Sequence, residues 1–222
     1  MKLMKALWLS TLLLLTTPAL AGDADVDKVN GSIRVDPGQS AGKLSTVNGS
    51  IRVGDKATVG SVDTVNGSIT LGDEANASGI DNVNGSISLG SRARVGGAID
   101  SVNGSITLEN GAEVKGAVEN VNGRIRLNAA HVGGGIRTTT GDIEIGANSR
   151  VENGIRVDKS HSYSLFTFGK PDVPRIVIGP GAVVQGTLKF EREVELYVSD
   201  KATIGPVVGA KPVKFSGAEP PG

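Results

Sequence analysis

The stretch that decides the fold is Val-Asn-Gly-Ser-Ile-Arg-Val at Val29–Val35, because the chain repeats it almost unchanged. The further copies begin at Val47, Val65, Val83, Val102 and Val121, and a divergent copy, Thr-Thr-Gly-Asp-Ile-Glu-Ile, ends at Ile145. Successive copies lie 18 or 19 residues apart. Such a period is typical of repeat architectures, in which each unit buries its apolar face only by packing on its neighbours.

The composition between the copies is that of β-structure. Short runs of Val and Ile alternate with polar residues and are separated by Gly, Asn and Asp, as in strands joined by turns. Glycine accounts for 32 of 222 residues, but no Gly-X-Y triplet runs through the chain, which excludes collagen. No helical period follows residue 21, so we expect an all-β fold.

Alignment of the coils on the isoleucine of the phrase reveals further columns. Val or Leu stands two residues later, and a small residue stands at Ala57, Ala75, Ala93, Ala112 and Ala130. Each coil therefore contains about three short strands, and stacking the coils about 4.8 Å apart buries their inward side chains. The sequence predicts a single parallel β-solenoid of about nine three-faced coils over residues 29–208, with a tight corner or a narrow interior at the alanines.

The segments around the solenoid have separate interpretations. Residues 1–21 resemble a signal peptide: Lys2 and Lys5 precede an apolar run, and Ala19-Leu20-Ala21 is a cleavage site, which predicts a periplasmic or secreted protein with no transmembrane segment after signal removal. Residues 22–28 form a polar lead, residues 158–174 a loop insertion, and residues 209–222, rich in Pro, Gly and Lys, a disordered tail.

Two sets of residues are candidate sites. The first is an asparagine ladder with a structural role, since Asn-Gly favours turns and stacked amides bond to one another: Asn30, Asn48, Asn66, Asn84, Asn103 and Asn122. The second is a candidate ligand-binding loop in the insertion, with His161, Tyr163, Phe166 and Phe168, for which capping of the core is the alternative. Hydroxyl ladders flank the isoleucines, with Ser32 to Ser105 on one side, and are expected to face solvent.

The sequence shows no catalytic constellation, metal-binding motif or cofactor motif. His131 and His161 have no second ligand at metal spacing, and no column of acidic residues is expected at a fixed position of the coil. Without residues 1–21 the chain has 21 basic and 23 acidic residues, a balance that gives no reason to expect nucleic acid as a partner.

The segments Val53–Gly60, Leu89–Ile99 and Ile178–Leu188 resemble the Gly-x-x-Ala-x-Val-x-Gly-x-Ile coil of bactofilins, which are cytoskeletal polymers of right-handed solenoids. The Val-Asn-Gly-Ser-Ile repeats behind a signal peptide are similar to secreted, adhesin-like β-solenoids of bacteria, a family of unknown function. These resemblances imply no catalytic residues and favour a right-handed coil. The chain differs from bactofilins in carrying an export signal, which argues against a cytoskeletal role.

The function that follows is non-enzymatic: an exported structural or adhesin-like protein of the bacterial cell envelope, with a cell-surface, glycan or protein partner. The alternative is a carbohydrate-binding or carbohydrate-cleaving solenoid that uses the hydroxyl ladders and the aromatic insertion; ice binding is a third hypothesis. The short, acidic lead leaves the N-terminal end of the stack uncovered, whereas Pro206 disfavours pairing of a further strand at the other end. We therefore expect a monomer or a weak head-to-head dimer and no filament.

Overall fold

The computed structural model describes residues 24–159 and 173–220. These residues form an all-β structure of short strands. In chain order the first strands are β1 (Val26–Asn30), β2 (Ile33–Val35), β3 (Ser40–Ala41), β4 (Leu44–Asn48), β5 (Ile51–Val53), β6 (Thr58–Asn66), β7 (Ile69–Leu71), β8 (Asn76–Asn84) and β9 (Ile87–Leu89). The next are β10 (Arg94–Val95), β11 (Ile99–Asn103), β12 (Ile106–Leu108), β13 (Glu113–Val114), β14 (Val118–Asn122), β15 (Ile125–Leu127), β16 (His131–Val132), β17 (Ile136–Thr138) and β18 (Ile143–Ile145). The last are β19 (Arg150–Val151), β20 (Ile155–Val157), β21 (Arg175–Ile178), β22 (Val183–Val184), β23 (Leu188–Phe190), β24 (Glu195–Ser199), β25 (Thr203–Ile204), β26 (Val207–Val208) and β27 (Val213–Phe215).

The strands stack into three parallel faces. The isoleucine face is a ten-stranded sheet in the order β2-β5-β7-β9-β12-β15-β18-β21-β24-β27. A 17-stranded sheet contributes the other two faces. We call these the short-strand face (β3, the start of β6 and β8, then β10, β13, β16, β19, β22 and β25) and the aspartate face (β1, β4, the end of β6 and β8, then β11, β14, β17, β20, β23 and β26). The predicted parallel β-solenoid is confirmed.

Residues one repeat apart lie side by side, so equivalent side chains stack. Ile51 pairs with Ile69, and Ile69 with Ile87, along the isoleucine face. Ile69 and Leu71 are buried, with Thr70 between them partly exposed, as alternation along a strand requires. The predicted inward columns are therefore the core of the solenoid.

The alanine column lies at the predicted tight corner. Ala57, Ala75, Ala93 and Ala112 have no exposed surface, and the residue before each of the first three has positive φ, between 57° and 59°. The Ala57 N–H donates to the Gly54 carbonyl at 3.2 Å and closes the turn. The left-handed conformation of Lys56, Glu74 and Arg92 is not evident from their residue types, since few residues with a Cβ adopt it.

The Asn-Gly corner differs in detail from the expectation. Among the described residues, the non-glycine residues with positive φ include no asparagine of the repeated phrase, and each of these asparagines ends a strand. The following glycine takes the unusual conformation in several coils, with φ of 109° at Gly31 and 136° at Gly85. The corner therefore depends on glycine, and the asparagine serves the side-chain ladder.

The C-terminal end also differs from the sequence prediction. Residues 213–215 form a further strand of the isoleucine face, in which Val213 pairs with Tyr197 and Phe215 with Ser199. Phe215 is only 5% exposed and pairs in register with the buried Ser199. The prediction of disorder is thus wrong for these residues, and the solenoid has about ten turns where the sequence indicated nine. The signal peptide, residues 1–21, and most of the insertion lie outside the described residues.

Candidate functional site

The asparagines of the repeated phrase form a ladder of amides along one corner. From Asn48 to Asn103, each Nδ2 donates to the asparagine Oδ1 of the preceding coil at 3.0–3.2 Å, and Asn30 is the first acceptor. At Asn122 the ladder meets Thr140, whose hydroxyl lies 3.4 Å from the Asn122 Oδ1. An amide engaged in this way has its donor and acceptor committed to neighbouring coils, which is the structural role expected of this column.

The outer surface of the isoleucine face changes character along the stack. In the early coils it presents exposed serines, and the Ser50 N–H donates to the Ser32 hydroxyl at 3.3 Å. Further along, Arg124 pairs with Asp142 at 3.4 Å and Arg126 pairs with Glu144 at 2.8 Å. The hydroxyl ladder is therefore replaced by a ladder of ion pairs.

A cavity of about 510 Å³ lies beside those ion pairs. It is lined by Arg124, Arg126, Asp142 and Glu144 and by the terminal residues 218–220. Residues 218–220, which follow the last strand β27, form one wall of this cavity. The candidate loop residues His161, Tyr163, Phe166 and Phe168 lie outside the described residues.

The aspartate face carries a column of carboxylates that the sequence argument missed. Asp63 pairs in register with Asp81, Asp81 with Asp100, and Asp100 with Glu119. The expectation that no acidic column recurs is therefore wrong. The column could have been recognised in the sequence, because each of these acidic residues directly follows a residue of one inward-facing apolar column, which has Val62 before Asp63.

The stacked carboxylates affect one another's ionisation. Partial burial of the Asp81 carboxylate, and next the negative charges of Asp63 and Asp100, raise the pKa of Asp81 above the ordinary value for aspartate. Lys43 relieves one end of the column through an ion pair with Asp63 at 2.8 Å. Like charges at strand spacing repel, so this column opposes the stacking of its own coils.

Exposed valines run along the same face, two residues beyond the carboxylates. Val47, Val65, Val83 and Val102, the first residues of the repeated phrase, are 38–41% exposed. Valines and carboxylates together line a groove of about 390 Å³. We call it the carboxylate–valine groove and define it by Val47, Asp63, Val65, Asp81, Val83, Asp100 and Val102.

Buried polar residues lie behind this groove, on the side of the sheet that faces the interior of the solenoid. Thr46 and Thr64 are at most 4% exposed, and their hydroxyls donate to carbonyls of the Gly corner at 3.1 Å. Asn82 donates its Nδ2 to the Gly85 carbonyl at 2.7 Å. Three side-chain oxygens of this inward column have no hydrogen-bond partner among the described residues: Asn82 Oδ1, Ser101 Oγ and Asn120 Oδ1.

The later coils of the aspartate face have compensated charges. Asp158 accepts hydrogen bonds from Arg137 and Arg156. Partial burial opposes ionisation of Asp158, but these hydrogen bonds outweigh it and lower its pKa. Glu191 pairs with Arg156 at 2.8 Å and with Lys189 at 2.9 Å. Unbalanced negative charge on this face is thus confined to the early coils.

On the short-strand face His131 Nε2 lies 3.3 Å from Glu152 Oε1, and Arg150 bonds the same oxygen at 3.1 Å. The bond from Arg150, and next that from His131, lower the pKa of Glu152. Within residues 24–159 and 173–220, no group of three or more His, Cys, Asp or Glu side chains is arranged to hold a metal ion.

Comparison with known proteins gives no relative. No family model, no curated protein and no solved structure matches this chain. In the part of the chain that the structure describes, no helix is both long and apolar enough to cross a membrane.

Proposed function

We propose that this chain is a non-enzymatic, exported structural or adhesin-like β-solenoid of the bacterial cell envelope. The observation that carries the proposal is the unbroken register of the isoleucine face, which continues through ten strands from β2 to β27. At a strand spacing of about 4.8 Å, this stack is a rod roughly 45 Å long. Each backbone group within it bonds to the coil above or below, so the rod is stiff and presents the same side chains at regular intervals.

The chemistry of the surface supports a role in display or contact. Side chains of one kind recur along each face: amides at the Asn corner, serines on the isoleucine face and carboxylates on the aspartate face. A periodic surface suits multivalent contact with a periodic partner, because weak contacts at successive coils add up. The N-terminal pattern of residues 1–21 supports export, and the resemblance of the repeats to adhesin-like solenoids is in keeping with an envelope protein.

The proposal is tested by following the protein in its host. A chain with a C-terminal tag is pulse-labelled, and the cells are fractionated. We expect a mature species about 2 kDa smaller than the precursor, found in the envelope or the medium. Beads coated with the purified protein are expected to remain on washed host cells longer than beads coated with a globular protein of the same net charge. Uncleaved protein in the cytoplasm, or equal retention of both kinds of bead, contradicts the proposal.

A carbohydrate-binding solenoid is the second candidate. It is favoured by the cavity beside Arg124 and Arg126. The guanidinium groups of these arginines, and the carboxylates paired with them, are planar hydrogen-bonding groups of the kind that bind sugar hydroxyls. A glycan array probed with the purified protein tests it. Binding or depolymerisation that is lost in Tyr163→Ala and Phe166→Ala assigns this function to the insertion, whereas loss in Arg126→Ala assigns it to the cavity. An array without signal excludes the candidate.

A further inference from the structure

Asparagine followed by glycine is a reactive dipeptide, and the chain contains several copies of it. They begin at Asn30, Asn48, Asn66, Asn84, Asn103, Asn110, Asn122 and Asn153. The backbone nitrogen of the glycine can attack the side-chain amide carbon of the asparagine, because a glycine has no Cβ to hinder this approach. A hydrogen bond from the glycine N–H to another group holds that nitrogen in place, and a bond from the asparagine amide holds the side chain away from it.

Hydrogen bonds between coils hold the glycine nitrogen at most of these dipeptides. From Gly31 to Gly104, the glycine N–H of each repeated phrase donates to the asparagine carbonyl of the next coil at 2.9–3.1 Å. The Gly111 N–H donates to the Ala129 carbonyl at 3.0 Å. The side-chain amides from Asn48 to Asn103 are bonded as well, through the asparagine ladder. Both reacting groups are therefore restrained at these ladder positions.

Both restraints are missing at Asn122. Within residues 24–159 and 173–220, neither the Gly123 N–H nor the Asn122 Nδ2 has a hydrogen-bond partner. The cause lies in the following coil. Strand β14 pairs with β11 as far as Asn122, but its pairing with β17 ends at Asn120 and Thr138. The following coil therefore presents no backbone acceptor to Gly123.

Gly154, which follows Asn153, also lacks a partner for its N–H within the described part of the chain. The Asn153 Nδ2, however, donates to the Gly133 carbonyl at 2.7 Å, and Gly154 is buried. The side chain is thus tied to the preceding coil, and water has little access to the glycine nitrogen. Asn153 lacks one restraint, whereas Asn122 lacks two.

A cavity of about 340 Å³ lies at the corner that contains Asn122. Its lining includes Asn122, Gly123 and Thr140, and the Asn122 side chain is exposed. Water is the second reactant in the loss of an asparagine amide, so a wet cavity at this corner supplies it. The missing hydrogen bonds and the cavity are separate observations that identify the same residue.

We propose that Asn122 is a site of spontaneous deamidation. The Gly123 nitrogen loses its proton and attacks the side-chain carbon of Asn122. The new C–N bond closes a cyclic imide, and the side-chain nitrogen leaves with a proton as ammonia. Water then opens the imide: addition at the side-chain carbonyl breaks the new bond and gives aspartate, whereas addition at the main-chain carbonyl breaks the original peptide bond and gives isoaspartate. One water is consumed and one ammonia is released.

The two products affect the solenoid differently. Aspartate keeps the main chain and adds one negative charge. Isoaspartate lengthens the main chain by one carbon at a corner where the Asn122 carbonyl accepts a hydrogen bond from the Gly104 N–H at 3.1 Å. The isoaspartate form therefore has a weakened contact between the fifth and sixth coils. This chemistry goes beyond the proposed envelope function and does not depend on it.

The experiment is incubation of the purified, folded protein at mildly alkaline pH and physiological temperature, followed by digestion with pepsin at acidic pH and mass spectrometry of the peptides. Deamidation is seen as a mass gain of about 1 Da, and electron-transfer fragmentation separates isoaspartate from aspartate. The same protein unfolded in urea gives the intrinsic rate of each dipeptide. Asn122→Gln is the test variant, because its longer side chain disfavours the cyclic imide. Asn110→Gln is the matched control at another exposed corner.

We expect the rates at the dipeptides to be similar in urea and to differ in the folded protein. Each missing hydrogen bond is expected to raise the rate about fivefold, so Asn122 reacts at least about tenfold faster than the doubly bonded asparagines of the ladder. Those with one restraint, Asn30, Asn110 and Asn153, are expected to lie between these limits. Asn122→Gln removes the fast mass gain, and Asn110→Gln leaves it unchanged.

Three outcomes overturn the proposal. They are a rate at Asn122 equal to that of the ladder asparagines, a faster rate at another Asn-Gly dipeptide of the folded protein, and no mass gain at Asn122 in the time that converts most of the unfolded chain.

Discussion

The close approach of successive coils at the Asn-Gly corner is tested by adding one methyl group at Gly67. A Cβ atom there would lie 2.0 Å from the Gly49 carbonyl oxygen and 2.5 Å from its carbon. Gly67 does not have positive φ, so the substitution Gly67→Ala tests crowding without backbone strain. Gly79→Ala is the matched control, because its Cβ would meet only the Ala98 oxygen at 3.7 Å, an ordinary contact.

The expected size of the effect follows from these contacts. The coils must separate by about 1 Å for the new methyl group to reach normal contact, since real Cβ contacts are rarely below 3.0 Å. That movement stretches the bond from the Gly49 N–H to the Asn66 carbonyl, now 3.0 Å, which joins the same two coils. Overpacking costs about 1–3 kcal/mol and a weakened hydrogen bond about 1 kcal/mol, whereas the stiffer unfolded chain returns about 0.4–1 kcal/mol. We expect a net loss of about 1–4 kcal/mol for Gly67→Ala and a gain of at most about 1 kcal/mol for Gly79→Ala.

The measurement is urea denaturation followed by circular dichroism, combined with hydrogen exchange of peptides from the second to the fourth coil. Exchange is needed because a repeat array need not unfold in a single step, and the loss is expected to be largest near the substituted corner. A Gly67→Ala variant as stable as the unsubstituted chain, or one equal to Gly79→Ala, refutes the inference that the glycine column is required for stacking.

Four further predictions concern the core, the end, the charge and the association of the solenoid. Ile69→Asp places a charge without a partner in the core and is expected to lower the free energy of unfolding by about 3–5 kcal/mol, whereas Thr70→Asp lowers it little. Equal urea midpoints of the two variants contradict the assignment of Ile69 to the core and Thr70 to the surface. Phe215→Ala removes a buried ring from the strand that pairs with β24 and is expected to cost about 2–4 kcal/mol locally, seen as faster hydrogen exchange in β24. Unchanged exchange contradicts a stabilising role of this ring. Asp81→Asn is expected to raise stability by about 0.5 kcal/mol at pH 7. Because the folded-state pKa of Asp81 is raised, its ionisation destabilises the fold above that pKa, so the gain should disappear in melts as the pH falls below the ordinary pKa of aspartate. Electron microscopy of the purified protein at physiological salt should show single short rods or pairs, and long unbranched filaments contradict the expectation of a monomer or weak dimer.

Much of the fold could be predicted because the same local pattern recurs in every coil. Alternation assigns Ile69 and Leu71 to the core and Thr70 to the surface, and the repeat then carries this assignment to equivalent residues in other coils. The amide ladder could be predicted for the same reason, since residues one period apart must be neighbours in a stack.

The carboxylate column was overlooked although it obeys the same rule. The inward column of Val62 was recognised, and the residue after each of its members had only to be compared between coils. The groove, in contrast, could not be predicted from either column alone, because it depends on how far Val65 and Val83 project beside the carboxylates. The unpartnered oxygens of Asn82 and Ser101 depend on the same local geometry.

The period, the in/out alternation and the parallel stacking all follow from the amino-acid sequence, because they depend only on residues that repeat at a fixed interval. Tertiary packing determines how the stack ends: residues 213–215, in a segment whose composition indicates disorder, pair with β24, and Phe215 is buried there. It also decided that Lys56, Glu74 and Arg92 adopt left-handed conformations at the tight corner. The physical reason is the same in both cases: neither feature follows from local preference, since each is imposed by contact with a neighbouring coil that outweighs it.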